Sequence, residues 1–180
     1  MRVRRRSEAA TPAAPPPGIE FGWRVHLALQ EWTRSVDQKA SIILVFSVAL
    51  ATLAGREAFD SDGGLHDAAG AQLWVVRAMG VAFAAAALLA ISVVLPRLRR
   101  RAARREARSG LIYFGHLRLR SAPDVEFHLR ALDDDEALGQ LARQLKATSV
   151  IAWRKHVRLQ LAIAALLIAS ALFAVARLAL

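Results

Sequence analysis

Residues 78–95, AMGVAFAAAALLAISVVL, run for eighteen residues without a charge, and Pro96 ends the run. At ~1.5 Å per residue such a helix is about 27 Å long, close to the ~30 Å hydrocarbon core of a bilayer. A helix that is apolar on every side has no face to offer water, so this block predicts a membrane span. Leu73, Trp74, Val75 and Val76 lengthen it, with the Trp74 indole at the interface and Arg77 reaching out to it. Residues 40–54, ASIILVFSVALATLA, are also uncharged and cross the core once extended back through Lys39 and Val36. Residues 159–180 form a third block, uncharged from Gln160 to Ala176. The sequence therefore predicts an all-α membrane protein with three transmembrane helices at 39–55, 73–96 and 159–179. Two spans with a peripheral third helix is the alternative.

The charges supply an independent test. Residues 1–39 carry seven Lys/Arg and residues 97–158 carry fifteen, whereas the connection at 56–72 carries Arg56 against Glu57, Asp60, Asp62 and Asp67. Positively charged segments stay on the cytoplasmic side. Two spans joined by a short acidic loop put both basic segments on one side, which predicts an N-in, C-out topology in a bacterial inner membrane. The formal charge of +10 in a chain that is 55% hydrophobic then reads as an orientation signal and a surface for anionic lipid. A nucleic-acid polymer as partner is not needed to explain it.

Between the spans the pattern predicts further helix. Residues 1–18 are basic and proline-rich and read as a disordered tail. Residues 19–38 show a helical period in Phe21, Val25, Leu29 and Trp32 and read as an amphipathic cytoplasmic helix leading into the first span. Residues 97–158 form a basic cytoplasmic helical module. It begins with the arginine-rich RLRRRAARREARSG, expected to continue the second span, and passes through LIYFGHLRLR and the short helix DVEFHLRAL. Asp133 and Glu136 have the spacing of a capping box, a stronger reading of the acidic run 133–136 than a metal site. From Ala137 a stripe of Leu138, Leu141, Leu145, Thr148 and Ile151 predicts a long helix that enters the third span and packs on another helix, in this chain or in a second subunit.

No catalytic constellation is present. There is no cysteine, no Gly-rich phosphate loop, no H-E-x-x-H and no G-x-S-x-G, and the five histidines show no metal-ligand spacing. Neither enzyme, cofactor nor metal is expected.

Three stretches carry a family resemblance. Trp32 followed by Asp37-Gln38-Lys39-Ala40-Ser41 opens the first span; Leu111-Ile112-Tyr113-Phe114-Gly115-His116 lies mid-chain; Gln144, Ala147 and Lys155 lead into the last span. Together they resemble the transmembrane effectors of the Pycsar antiphage systems, over roughly residues 20–178. Tyr113 departs from the phenylalanine of that pattern, and Ser109-Gly110 from an asparagine nearby.

The resemblance implies a function that composition does not supply. A partner cyclase would make a cyclic pyrimidine nucleotide, cUMP or cCMP, as activating ligand. The effector would sense it and impair the inner membrane, killing the cell or arresting its growth before phage mature. A cyclic monophosphate offers one negative charge, a sugar edge and a flat base. Tyr113, His116, Arg118 and Arg120 offer a stacking ring and phosphate donors within eight residues, and are the expected ligand contacts. The alternative, that Tyr113 packs the module while the arginines face solvent, stands beside it. Small residues at 84–87 and at Ala162, Ala164 and Ala165 allow close helix approach in lipid, and a homo-oligomer is expected. The competing classes are a related effector answering a different nucleotide and a membrane anchor for a cytoplasmic partner.

Overall fold

The computed structural model describes residues 16–59, 70–95 and 110–178. The tail at 1–15, the acidic stretch at 60–69 and the arginine-rich continuation at 96–109 lie outside them. The described residues form helix α1 (Pro17–Phe59), α2 (Ala71–Val94), the single turn α3 (Phe114–Leu117), α4 (Ala122–Ala131) and α5 (Asp134–Leu178). Three of these, α1, α2 and α5, are long and apolar enough to cross a membrane. There is no strand among the described residues.

The starts and stops follow local chemistry. Pro17 opens α1, where its missing N–H costs nothing. Gly70, with a φ of 58°, turns the chain into α2, a conformation that L side chains avoid. Ser121 caps α4 by accepting a hydrogen bond from the Asp124 N–H at 3.3 Å. Asp133 caps α5 through its Oδ1, which accepts from the Glu136 N–H at 2.8 Å. The acidic run is thus a helix start, although Glu136 turns its carboxylate to Gln140 at 3.2 Å rather than back to the cap.

α1 is unbroken from the segment ahead of the first span through the span itself, and α5 likewise. The two run in the same direction. The contact between Gly22 and Leu141, the ion pair of Asp37 with Lys155 and the ion pair of Glu57 with Arg177 tie them near the top, middle and bottom of α1. The two ion pairs join residues 118 and 120 apart, so the register holds along the pair. α2 runs antiparallel between them.

Buried positions are spaced by three, by four or by sums of the two on every long helix. On α2 they are Met79, Phe83, Ala86, Ala90 and Val93. On α1 they include Gly22, His26, Leu29, Val36, Ala40, Ser47 and Ala54, and on α5 Leu141, Ala152, Leu159, Ala162, Ala169 and Ala176. A 3.5-residue period is the seam of helices that cross at a shallow angle. In lipid no hydrophobic force drives helices together, so close backbone approach at small residues has to supply the contact, and alanine, glycine or serine fills more than half of these seam positions. The hydroxyls inside the spans are satisfied locally: fully buried Ser47 donates to the Ile43 carbonyl at 2.7 Å, and Ser170 to Leu166 at 2.9 Å.

The seam of α1 is turned from the stripe its large side chains suggest. Leu29 is buried, but Phe21 and Trp32 lie 68% and 59% exposed. The reason is close packing: a Cβ at Gly22 would stand 2.5 Å from Leu141 Cδ2, so the glycine admits Leu141 where an aromatic ring would hold the helices apart. On α5 the same logic buries Ala152 and leaves Leu138 and Ile151 exposed, with Leu145 and Thr148 half-buried. The partner of the α5 stripe is α1 of the same chain.

Candidate functional site

α2 joins the α1–α5 pair near its own C-terminal end. Val93 packs with Val36, Ala40 and Leu159, and Arg158 Nη1 donates to the Ser92 carbonyl at 3.4 Å. Beyond this level, among the described residues, α1 and α5 continue together as a stalk. Leu111, at the start of the 110–132 head, donates its N–H to Gln140 Oε1 at 2.8 Å. Eighteen helical residues at ~1.5 Å each separate Gln140 from Arg158, so the head stands roughly 27 Å beyond the point where α2 enters the bundle.

The structure brings the expected contacts Tyr113, His116, Arg118 and Arg120 into one short turn and gives them different tasks. The Tyr113 and His116 rings meet edge to face, with centroids 5.1 Å apart and planes at 82°. His116 is buried against the backbone of Gly110, where a Cβ would stand 2.6 Å from its Nδ1. The Tyr113 ring lies in the same way over Gly115. The Arg120 side chain is 6% exposed and bonds Asp124 at 3.2 Å, which ties the turn to the first residues of α4. Arg118 alone of the four is exposed. Three of the four side chains therefore pack the head together. Arg120 also borders an open groove with Leu117, Val125 and Leu129, beside α4, which buries none of its residues.

Residues outside that set carry the polar chemistry of the stalk. Lys155 Nζ donates to both Asp37 carboxylate oxygens, at 2.6 and 2.8 Å, and both side chains are largely withdrawn from solvent. One turn and more above, the Gln30 amide lies 2.9 Å from Nε2 of buried His26, whose ring meets Trp23 edge to face. Gln144 and Thr148 bond each other at 3.4 Å on α5. Gln140, buried, links the head to Glu136. The pairing of Asp37 with Lys155 had a sequence signal: opposite charges stand three and four residues before the apolar blocks that open at Ala40 and Leu159. Helices running in parallel into one bilayer bring such residues level. Gln140 had a weaker signal, a polar residue beside Leu141 on an apolar stripe.

Beside the Asp37 pair a cleft of about 450 Å³ opens between α1 and α5, lined by Gln30, Arg34, Asp37 and Gln38 from one helix and Thr148 and Ile151 from the other. A second groove of about 520 Å³ lies between α1 and α2 within the spans, lined by small and apolar residues such as Ala51, Gly55, Gly80 and Ala84.

No curated protein and no solved structure compared with the chain matches it. One family model does, over residues 21–180, and it takes in both helices that carry the Asp37–Lys155 pair, the whole head and everything between them. Three long apolar helices, a parallel pair extended into a stalk and this match agree: the chain belongs to the PycTM family, the Pycsar effector protein domain.

Proposed function

We propose that this chain is a non-enzymatic inner-membrane effector, switched on by a cyclic pyrimidine mononucleotide, cUMP or cCMP, that a partner cyclase makes. Once bound, the nucleotide would cause it to impair the bilayer and so kill the cell or halt its growth. The observation that carries this reading is the family match over nearly the whole chain, read together with the stalk. A device that converts binding into membrane damage needs a soluble part joined rigidly to its spans, and α1 and α5 each pass from stalk to span without a break. The excess of Lys/Arg in 1–39 and 97–158 supports stalk and head on the cytoplasmic side, where a nucleotide is made. A homo-oligomer is supported by large apolar side chains outside the bundle seam, Phe21, Trp32 and Trp153, which stay exposed.

Ligand binding drives the change only by its difference in affinity for two arrangements of the helices. The test is to express the chain in bacteria, supply cUMP or cCMP through a co-expressed cyclase, and follow membrane potential and dye entry. The expected result is rapid depolarisation with either pyrimidine nucleotide and none with cAMP or a cyclic dinucleotide. A chain that leaves the membrane intact with both pyrimidine nucleotides is not such an effector.

A further inference from the structure

We infer that the nucleotide is held not by the head but in the cleft between α1 and α5, with Arg34 taking the phosphate and the Gln30 and Gln38 amides taking the base. The inference rests on the proposed function for the identity of the ligand and on the geometry for its place.

Two polar side chains in the wall of the cleft, Arg34 and Gln38, have hydrogen-bonding capacity to spare. Arg34 makes no ion pair among the described residues, and the Gln38 side chain makes no hydrogen bond among them. An amide presents a donor and an acceptor side by side, which matches the donor–acceptor edge of a pyrimidine; a guanidinium matches the anionic phosphate of a cyclic monophosphate. Asp37 and Gln30 are held for their part in the lining, the first by Lys155 and the second by His26. Ile151, 47% exposed, gives the base an apolar face. The volume of about 450 Å³ lies within the ~300–1,000 Å³ of small-molecule sites. In the head, by contrast, the Arg120 guanidinium and the His116 ring are spent on internal packing.

The position also suits a switch. The cleft bridges the two helices that continue into the membrane and ends at the level where α2 joins them. A ligand gripping both helices biases their relative rotation directly, with no relay through the head.

An anionic phospholipid headgroup shares the phosphate chemistry and is within reach, since Ser41, at the foot of the cleft, lies at the start of the first apolar block. The experiment therefore uses the full chain in nanodiscs with and without phosphatidylglycerol. It measures cUMP and cCMP binding at equilibrium, and maps the peptide labelled by a photoreactive cUMP. Arg34→Gln and Gln38→Ala are each expected to weaken binding by about tenfold or more, as loss of a charge-assisted or base-pairing contact does. Arg118→Ala should leave it unchanged, and the label should fall within residues 30–41. Circular dichroism and melting of each variant report any loss of fold, and the label on the unaltered chain does not depend on the variants. Label on residues 111–120, or binding lost with Arg118→Ala and kept with Arg34→Gln, overturns the cleft while leaving the nucleotide reading intact. A label displaced by phosphatidylglycerol and not by unlabelled cUMP makes the cleft a lipid site and overturns the inference. Failure of the unaltered chain to bind either nucleotide overturns the ligand itself, and the inference with it.

Discussion

The bundle and the stalk are made from the same two helices and held together by different means. Where α2 is present, the seam is a succession of alanines and apolar side chains, with Ala86, Ala90, Ala162 and Ala169 fully buried. Above it, the α1–α5 pair keeps its register, and α2 itself has ended at Val94. Across this seam runs a polar tie, Asp37 with Lys155, while His26 with Gln30 and Gln144 with Thr148 bond within their own helices. A close-packed alanine seam has one good arrangement, because any shift opens voids or clashes. The stalk, whose tie across the two helices is polar, is not bound to one arrangement in the same way, which fits the proposal that a ligand acts there.

The sharpest way to break this contrast is to overfill the bundle. Ala86→Leu puts three carbons into a site with no exposed surface, and the strain should cost about 1–3 kcal/mol or more. Val81→Leu, on the 71% exposed face of the same helix, should cost close to nothing. Unfolding in mixed micelles measures both, and equal effects would contradict the assigned seam.

Asp37→Ala leaves the Lys155 ammonium without its partner in a half-buried place and should cost about 1–3 kcal/mol. Lys155→Ala should cost a similar amount, and the double variant clearly less than the sum, because the two changes remove one interaction. Exchanging the charges, Asp37→Lys with Lys155→Asp, should restore most of the loss. Additivity of the single changes would show that the pair does not tie the stalk.

The head gives a smaller and more local effect. Gln140→Ala removes the acceptor for the Leu111 N–H and should cost about 1 kcal/mol. It should be seen as faster hydrogen exchange at residues 110–117 with the bundle unchanged. Smallest of all is Glu57→Gln at the far end, where the partner Arg177 is half exposed; surface pairs of this kind contribute ~0–1 kcal/mol.

The spans were legible in the sequence because a bilayer demands long apolar blocks and because Lys and Arg avoid the acidic connection. The start of α5 was legible too, since Asp133 stands three residues before Glu136 and does cap the helix. The phase of the stalk was less so. Phe21 and Trp32 promise the larger burial, but a close helix pair selects Gly22 and Ala40, and volume at an interface cannot be read from hydrophobicity alone. The head residues were recognised as a group by their chemistry; that Arg120 is spent on Asp124 and His116 lies against Gly110 depends on a turn geometry that pattern does not encode. The polar cleft was not visible either, because its walls come from residues more than a hundred positions apart.

The central claim is that α1 and α5 run parallel and in register from the stalk into the bundle. The chain has no native cysteine, so pairs of spin labels can be placed at will. Labels at Arg24 with Arg143, and at Ser35 with Arg154, preserve the same offset at two heights, and pulsed dipolar spectroscopy in nanodiscs reads each distance. Parallel, in-register helices give two short distances that agree to within a helical turn, ~5.4 Å. Distances that diverge by much more, or a stalk pair far apart while the bundle remains folded, would contradict the claim.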